Sequence, residues 1–404
     1  MLYRKSGQFT QLGTNKHNAY KIICYFFRIN PRYDRAVTVC NSRTECRVCP
    51  HNGAPTAMLA RVAHPSPFEL PELDALERTI ALGGPHLQAR TVCQVDLPGG
   101  RYPVLCITLG NPALDVPAVG YFGGVHGLER IGAGVVIAHL HSLVERLAWD
   151  SALHRQLESV RLVFMPIVNP GGMALGTRAN PQGVDLMRNA PVDAREPVPF
   201  LVGGQRLSAR LPWFRGAFGA AMEAENQAVC AVVQAELLSR PFSLSVDCHS
   251  GFGTRDRLWF PYAHTRKPIA HLAEMHALKA IFTASHSHYR YIFEPQSLQY
   301  LAHGDLWDHL YRQASAQPGR IFLPLTLEMG SWLWVKKNPR QLFSRHGIFN
   351  PLIAHRQQRV LRQHQSLLDF LARAAHGHRL WLPTEDVRTH HHTQAQHDWY
   401  GSHP

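Results

Sequence analysis

The sequence has no apolar run long enough to cross a bilayer. Its longest uninterrupted runs, residues 22–27 and 133–138, fall far short of the ~18–20 residues a membrane helix needs. The N-terminus also lacks the apolar stretch of ~7–15 residues and the small-residue cleavage site of a secretory signal, so a cytoplasmic chain without a membrane partner is expected. Cysteine is sparse, eight in 404 residues, and Cys93, Cys106, Cys230 and Cys248 sit in apolar surroundings typical of buried thiols. A disulfide framework is therefore not expected. Acidic residues are in deficit, 29 against 42 Lys and Arg, giving +13. Residues 1–55 alone hold nine basic residues against Asp34 and Glu45, which localises +7 of that excess in the N-terminal segment. A nucleic-acid partner is not favoured, because no interleaved aromatics or known binding motif accompany the basic residues.

What is present is ordinary globular composition, 45% hydrophobic and 18% charged. The expected organisation is a basic, Cys-containing extension over residues 1–57, a catalytic domain over 58–380 and a solvated His-rich tail over 381–404. Cys40, Cys46, Cys49 and His51 resemble half of a zinc knuckle, but no second pair follows at metal spacing. From about residue 90 the pattern alternates strands (102–109, 118–123, 161–168, 244–248, 322–328) with helices (129–146, 220–238, 268–282, 305–313, 351–375). This predicts an α/β fold, a central sheet with helices on both faces. Residues 180–219, rich in Pro, Gly and Arg, read as a long excursion that shapes a cleft.

Ligands of open α/β sheets bind at the carboxyl ends of strands. Three predicted strands end in ionisable residues: Gly124-Val125-His126-Gly127-Leu128-Glu129, Asp247-Cys248-His249-Ser250 and Thr326-Leu327-Glu328. If a helix begins after the glycines, His126 and Glu129 share one face and can grip one ion, and His249 completes a set of two His and one Glu. That set leaves a fourth position on zinc for water, as in catalytic sites, with Glu328 free to act as base. The H-x-x-E spacing alone is weak, since 26 His and 15 Glu give about one chance match in a chain of this length, and His271–Glu274 matches too.

The motifs between these strand ends add specificity. Asn169-Pro170-Gly171-Gly172, then Arg178-Ala179-Asn180, then Gly183-Val184-Asp185-Leu186-Met187-Arg188-Asn189 lie in order between the Glu129 and Asp247 segments. The whole series resembles the zinc carboxypeptidase family over about residues 100–335. The resemblance implies a mixed sheet with helices on both faces, and one zinc ion held by His126, Glu129 and His249. It further implies Glu328 as general base, Arg178 as the group that polarises the scissile carbonyl, and a substrate-binding role for Arg188 and Asn189 at a terminal carboxylate. A planar, permanently charged guanidinium suits both arginine roles. Asp247 is a candidate to orient an imidazole. Met187 stands where the family usually has Asn, which leaves substrate choice open, and Tyr289, Tyr291, Tyr300 and Tyr311 are equal candidates for the family's tyrosine near the substrate.

The expected activity is amide hydrolysis by a zinc metallopeptidase on a peptide with a free terminal carboxylate. N-acyl amino acid deacylases, similar to succinylglutamate desuccinylase and aspartoacylase, and murein-peptide amidases share the ligand pattern and are the alternatives. A basic binding module on an inactive hydrolase scaffold is the alternative outside enzymes. Other chemistries fit worse. Gly132-Ala133-Gly134 lacks the third glycine of a dinucleotide fingerprint, and Cys248 and His249, adjacent on a strand, face opposite ways and cannot pair as nucleophile and base.

Overall fold

The computed structural model describes residues 70–98 and 100–401, all within one compact unit. The basic extension and its Cys40–His51 motif lie outside the described residues. Eight strands form one sheet: β1 (Leu87–Leu97), β2 (Gly100–Gly110), β3 (Ala118–Gly123), β4 (Arg161–Met165), β5 (Phe242–Ser250), β6 (Arg257–Phe260), β7 (Ile292–Pro295) and β8 (Ile321–Met329), in spatial order β1-β2-β4-β3-β5-β8-β6-β7. The helices are α1 (Pro71–Gly83), α2 (Arg130–Arg146), α3 (Ser151–Leu157), α4 (Pro170–Leu175), α5 (Ala224–Val233), α6 (Leu272–Ser285), α7 (Leu306–Ser315), α8 (Trp332–Lys337), α9 (Ala354–His376), α10 (His378–Trp381) and α11 (Glu385–Ala395). Among the described residues, no single helix is long and apolar enough to cross a membrane.

The centre of the sheet is parallel, with β3 between β4 and β5 and β8 beyond β5; β1–β2, β2–β4 and β6–β8 pair antiparallel. Every residue of β3 and β5 is buried; β3 reads as a continuous apolar run, as strands covered on both faces do, whereas β5 alternates Phe242, Leu244, Val246 and Cys248 with buried Ser243, Ser245, Asp247 and His249. Neighbours on β3 show the two layers. Tyr121 donates its hydroxyl to the Leu368 carbonyl of α9 and packs on His139 of α2, while Phe122, pointing the other way, meets Trp307 of α7 edge to face. Pro324 is tolerated inside β8 because β6 pairs only with Thr326–Glu328, leaving residue 324 with a neighbour strand on the β5 side alone. After β3 the chain crosses to β4 on one side and later returns to β5 on the other. The crevice beyond the carboxyl ends of β3 and β5 is thus the switch point at which such sheets bind ligands.

The expected solvated tail is corrected by the structure. Helix α11 and the turn Gln396–Tyr400 pack against the domain: Trp399 is 3% exposed, meets Phe260 edge to face, stacks on Phe293, and donates its indole N–H to the Phe293 carbonyl. Arg388 pairs with Glu274 and Lys279 with Asp398 across the same seam. The polar His390-His391-His392 run hides a sparse apolar stripe, Ala395 and Trp399, that suffices to bury one face. Trp399→Ala is expected to lower stability by about 3–5 kcal/mol, the usual cost of emptying a large aromatic site. Chemical denaturation checks this, and a wild-type midpoint would return the segment to a solvated tail.

Candidate metal centre

All three expected ligands converge at the switch point. After β3, Gly124 takes a left-handed φ of 62°, and Gly127 passes so close to the Gly172 backbone that a Cβ there would lie 2.0 Å from its carbonyl carbon. The chain is thereby folded into a tight turn, closed by Glu129 N–H donating to the His126 carbonyl at 3.0 Å. His126 and Glu129 therefore share a turn and not a helix face, because α2 begins only at Arg130. His249 arrives from the end of β5, in register with Glu328 on β8. The ligand atoms of His126, Glu129 and His249 lie within 4.8 Å of one another, and all three residues are buried.

The hydrogen-bond pattern fixes which atoms face the centre. His126 Nδ1 lies 2.9 Å from Glu129 Oε1, and His249 Nδ1 lies 3.0 Å from Glu129 Oε2. The outer nitrogens are occupied: His126 Nε2 is 3.0 Å from Asp185 Oδ1 and His249 Nε2 is 2.7 Å from Asp247 Oδ2. Carboxylates on the outer nitrogens hold the Nε2 protons there and leave the Nδ1 lone pairs for a metal. With a carboxylate at both ring nitrogens, His249 must carry either two protons or one proton and a cation. Burial opposes the charged ring, but Asp247 and then Glu129 outweigh it and hold its pKa well above the usual histidine range. Glu129, also opposed by burial, is held far below the usual carboxylate range by His126 and His249. Two nitrogens and one carboxylate fit a zinc ion with a position left open.

Glu328 stands beside this set without belonging to it. It is 7% exposed, and its Oε1 accepts the Phe252 N–H at 3.0 Å. Burial, then the like charge of Glu129, push its pKa up to about 8, against the smaller pull of His249 and Arg178. Arg178 bridges the acids: Nε donates to Asp185 Oδ2 at 2.9 Å and Nη1 to Glu129 Oε1 at 3.1 Å. The Nη2 edge has no bonded partner among the described residues, and the side chain is 24% exposed.

The expected substrate contacts divide. Arg188, 2% exposed, donates through Nε to the Val202 carbonyl, through Nη1 to the Met187 carbonyl and through Nη2 to the Tyr300 hydroxyl at 3.5 Å. No carboxylate among the described residues forms an ion pair with it. Asn189 braces the neighbouring loops: its Nδ2 donates to the Arg215 carbonyl and its Oδ1 accepts the Glu223 N–H at 2.7 Å.

The sequence matches the zinc carboxypeptidase family model over residues 100–331, an interval that contains every residue of this centre. The chain belongs to that family. Carboxypeptidase SOL1 of Arabidopsis thaliana is 33% identical over 75 residues, which span 19% of this chain and 15% of that protein. Two solved structures share the fold. Thrombin activatable fibrinolysis inhibitor aligns at TM-score 0.55 and 16% identity, covering 74% of this chain and 72% of that one. The bovine form in complex with tick carboxypeptidase inhibitor gives TM-score 0.55 and 15% identity over 75% and 95% of the two chains.

Within this zinc carboxypeptidase domain, the structure also separates the four candidate tyrosines. Tyr289 bonds Ser366, Tyr291 bonds His364 and Tyr311 bonds His271. Tyr300 alone meets Arg188, and its ring lies 6.1 Å from Phe252, whose N–H holds Glu328. Sequence reasoning missed Asp185 as the partner of His126. The Gly183-Val184-Asp185 motif contained the signal, but the contact spans 59 residues.

Proposed function

We propose that the protein is a zinc-dependent metallocarboxypeptidase that hydrolyses the amide bond preceding a residue with a free terminal carboxylate. Arg188 carries this reading. The hydrogen bonds of this buried guanidinium all go to neutral oxygens, and Asp185 and Asp305 lie near enough to feel its charge without forming an ion pair with it, so a carboxylate ligand is the forked anion that matches its free charge. A zinc ion held by His126, Glu129 and His249 supplies Lewis acidity and acidifies a water molecule. The remaining steps belong to the chain's own residues. Glu328 accepts a proton from the attacking water and returns it to the leaving amine. The free Nη2 edge of Arg178, fixed by Asp185 and Glu129, donates to the scissile carbonyl oxygen as negative charge develops there. A cytoplasmic site of action is part of the same proposal, supported by the free thiols of Cys106, Cys230 and Cys248.

The test compares peptides with a free C-terminus, the same peptides amidated, and N-acyl amino acids. Free-carboxylate peptides are expected to be cleaved and amidated ones spared. Arg188→Ala should lower kcat/KM on the former by about 100-fold, the loss of roughly 2–3 kcal/mol from a charged hydrogen-bonded pair. Equal rates on amidated peptides would overturn the carboxylate anchor, and turnover confined to N-acyl amino acids would replace the peptidase by a deacylase.

A further inference from the structure

Glu129 occupies the N-cap position of α2, yet its carboxylate is turned to the two imidazoles, and no side chain caps the helix from that position. The first N–H groups of a helix require acceptors. One comes from more than two hundred residues downstream. Asn350 Oδ1 accepts the Ile131 N–H at 2.9 Å, while its Nδ2 donates to the Leu128 carbonyl at 2.7 Å and to the His346 carbonyl at 3.0 Å. A single amide thus grips the backbone on both sides of Glu129.

The residue before it grips the other ligand segment. The Phe349 carbonyl accepts the Ser250 hydroxyl at 2.7 Å, and Ser250, next to His249, donates its own N–H to Glu129 Oε2 at 3.0 Å. The strap is anchored in turn: fully buried Gln341 donates to the carbonyls of Gly347 and Asn350. Ligand duty removes Glu129 from capping, and the Phe349-Asn350 dipeptide both replaces the cap and ties the two ligand-bearing segments together.

We infer that Asn350 is a positioning residue for the zinc ligands, which with the Phe349 carbonyl clamps the His126–Glu129 turn to the His249 end of β5. The inference rests on the zinc reading of that centre. Precise placement of ligands depends on such supporting bonds, whose loss typically weakens metal affinity 10- to 100-fold.

The experiment measures zinc affinity by competition with a chelator, and the visible spectrum of the cobalt-substituted protein, for wild type, Asn350→Ala, Asn350→Ser and Asp150→Ala. Asp150 caps α3 through the Ala152 and Leu153 N–H groups and serves as a control for the cost of losing a cap. Asn350→Ala is expected to bind zinc at least about tenfold more weakly with an altered cobalt spectrum. Asp150→Ala should lose stability while keeping wild-type affinity and spectrum. Asn350→Ser, which retains one hydroxyl for the Ile131 N–H, should fall between and carries the test if Asn350→Ala does not fold. Wild-type zinc affinity and cobalt spectrum in whichever Asn350 variant folds would overturn the inference. A wild-type protein that binds no zinc would instead overturn the zinc reading itself.

Discussion

His249→Ala protein is expected to lose its zinc, with a dissociation constant at least about 100-fold weaker than wild type. Structural zinc sites in small peptides are worth roughly 10–16 kcal/mol shared among four ligands, so the loss of one ligand is expected to cost about 3 kcal/mol. The loss at position 249 is aggravated by what stays behind. Asp247, kept in place by the Trp307 indole N–H at 2.9 Å, and Glu129 Oε2 no longer have an imidazole between them. The measurement is metal content after dialysis, supported by chelator competition. The exposed His390 and His392 can bind metal adventitiously and should be replaced in both proteins. Cutting the C-terminal segment away is not an option, because Trp399 belongs to the core. Zinc retained at wild-type affinity by His249→Ala would mean that these three side chains do not form the centre.

The parts of the fold that were legible in the sequence are those whose burial is uniform. β3 and β8 are covered on both faces and read as largely apolar runs, and β5 shows the strict period-two alternation of a strand although both of its faces are buried. β1, β6 and β7 were missed for two reasons. Leu87–Leu97 is a mostly exposed edge strand whose apolar residues are interrupted irregularly by Gln, Arg, Thr and Asp, and the other two span four residues each and are specified by their ladders. The ligands were legible for a related reason: they sit at carboxyl ends of strands, where an ionisable residue after an apolar run stands out. Residues acting through tertiary contacts left no local trace. Asp185 meets His126 across 59 residues, Asn350 meets Leu128 across 222, and Tyr300 is distinguished from its three rivals only by facing Arg188. The backbone bonds of Asn189 to Arg215 and Glu223 left no trace either, because membership in a motif does not reveal which backbone groups an amide braces.

Glu328→Gln is expected to separate metal binding from catalysis, keeping wild-type zinc content while kcat falls by about 10²–10⁴, the range associated with loss of a positioned general base. The amide retains an oxygen for the Phe252 N–H, so the loop after β5 keeps its anchor. It has no basic oxygen to take a proton from water, and KM should change little because the proposed carboxylate anchor is Arg188 and not Glu328. The same substitution has a stability signature in chelator-treated protein. Glu328 titrates near pH 8 in the fold against 4.5 for a free glutamate, so the folded state binds the proton more tightly than the unfolded one does. Its contribution is most favourable below pH 4.5 and is lost progressively as pH rises toward 8. Metal-free Glu328→Gln, which cannot ionise, should therefore equal or exceed metal-free wild type in stability at pH 8, with the difference shrinking toward pH 5. A residue retained at such cost is explained by chemistry and not by folding. If Glu328→Gln loses zinc along with activity, or is destabilised at pH 8, Glu328 is a ligand or a structural group and the proton transfer must be assigned elsewhere.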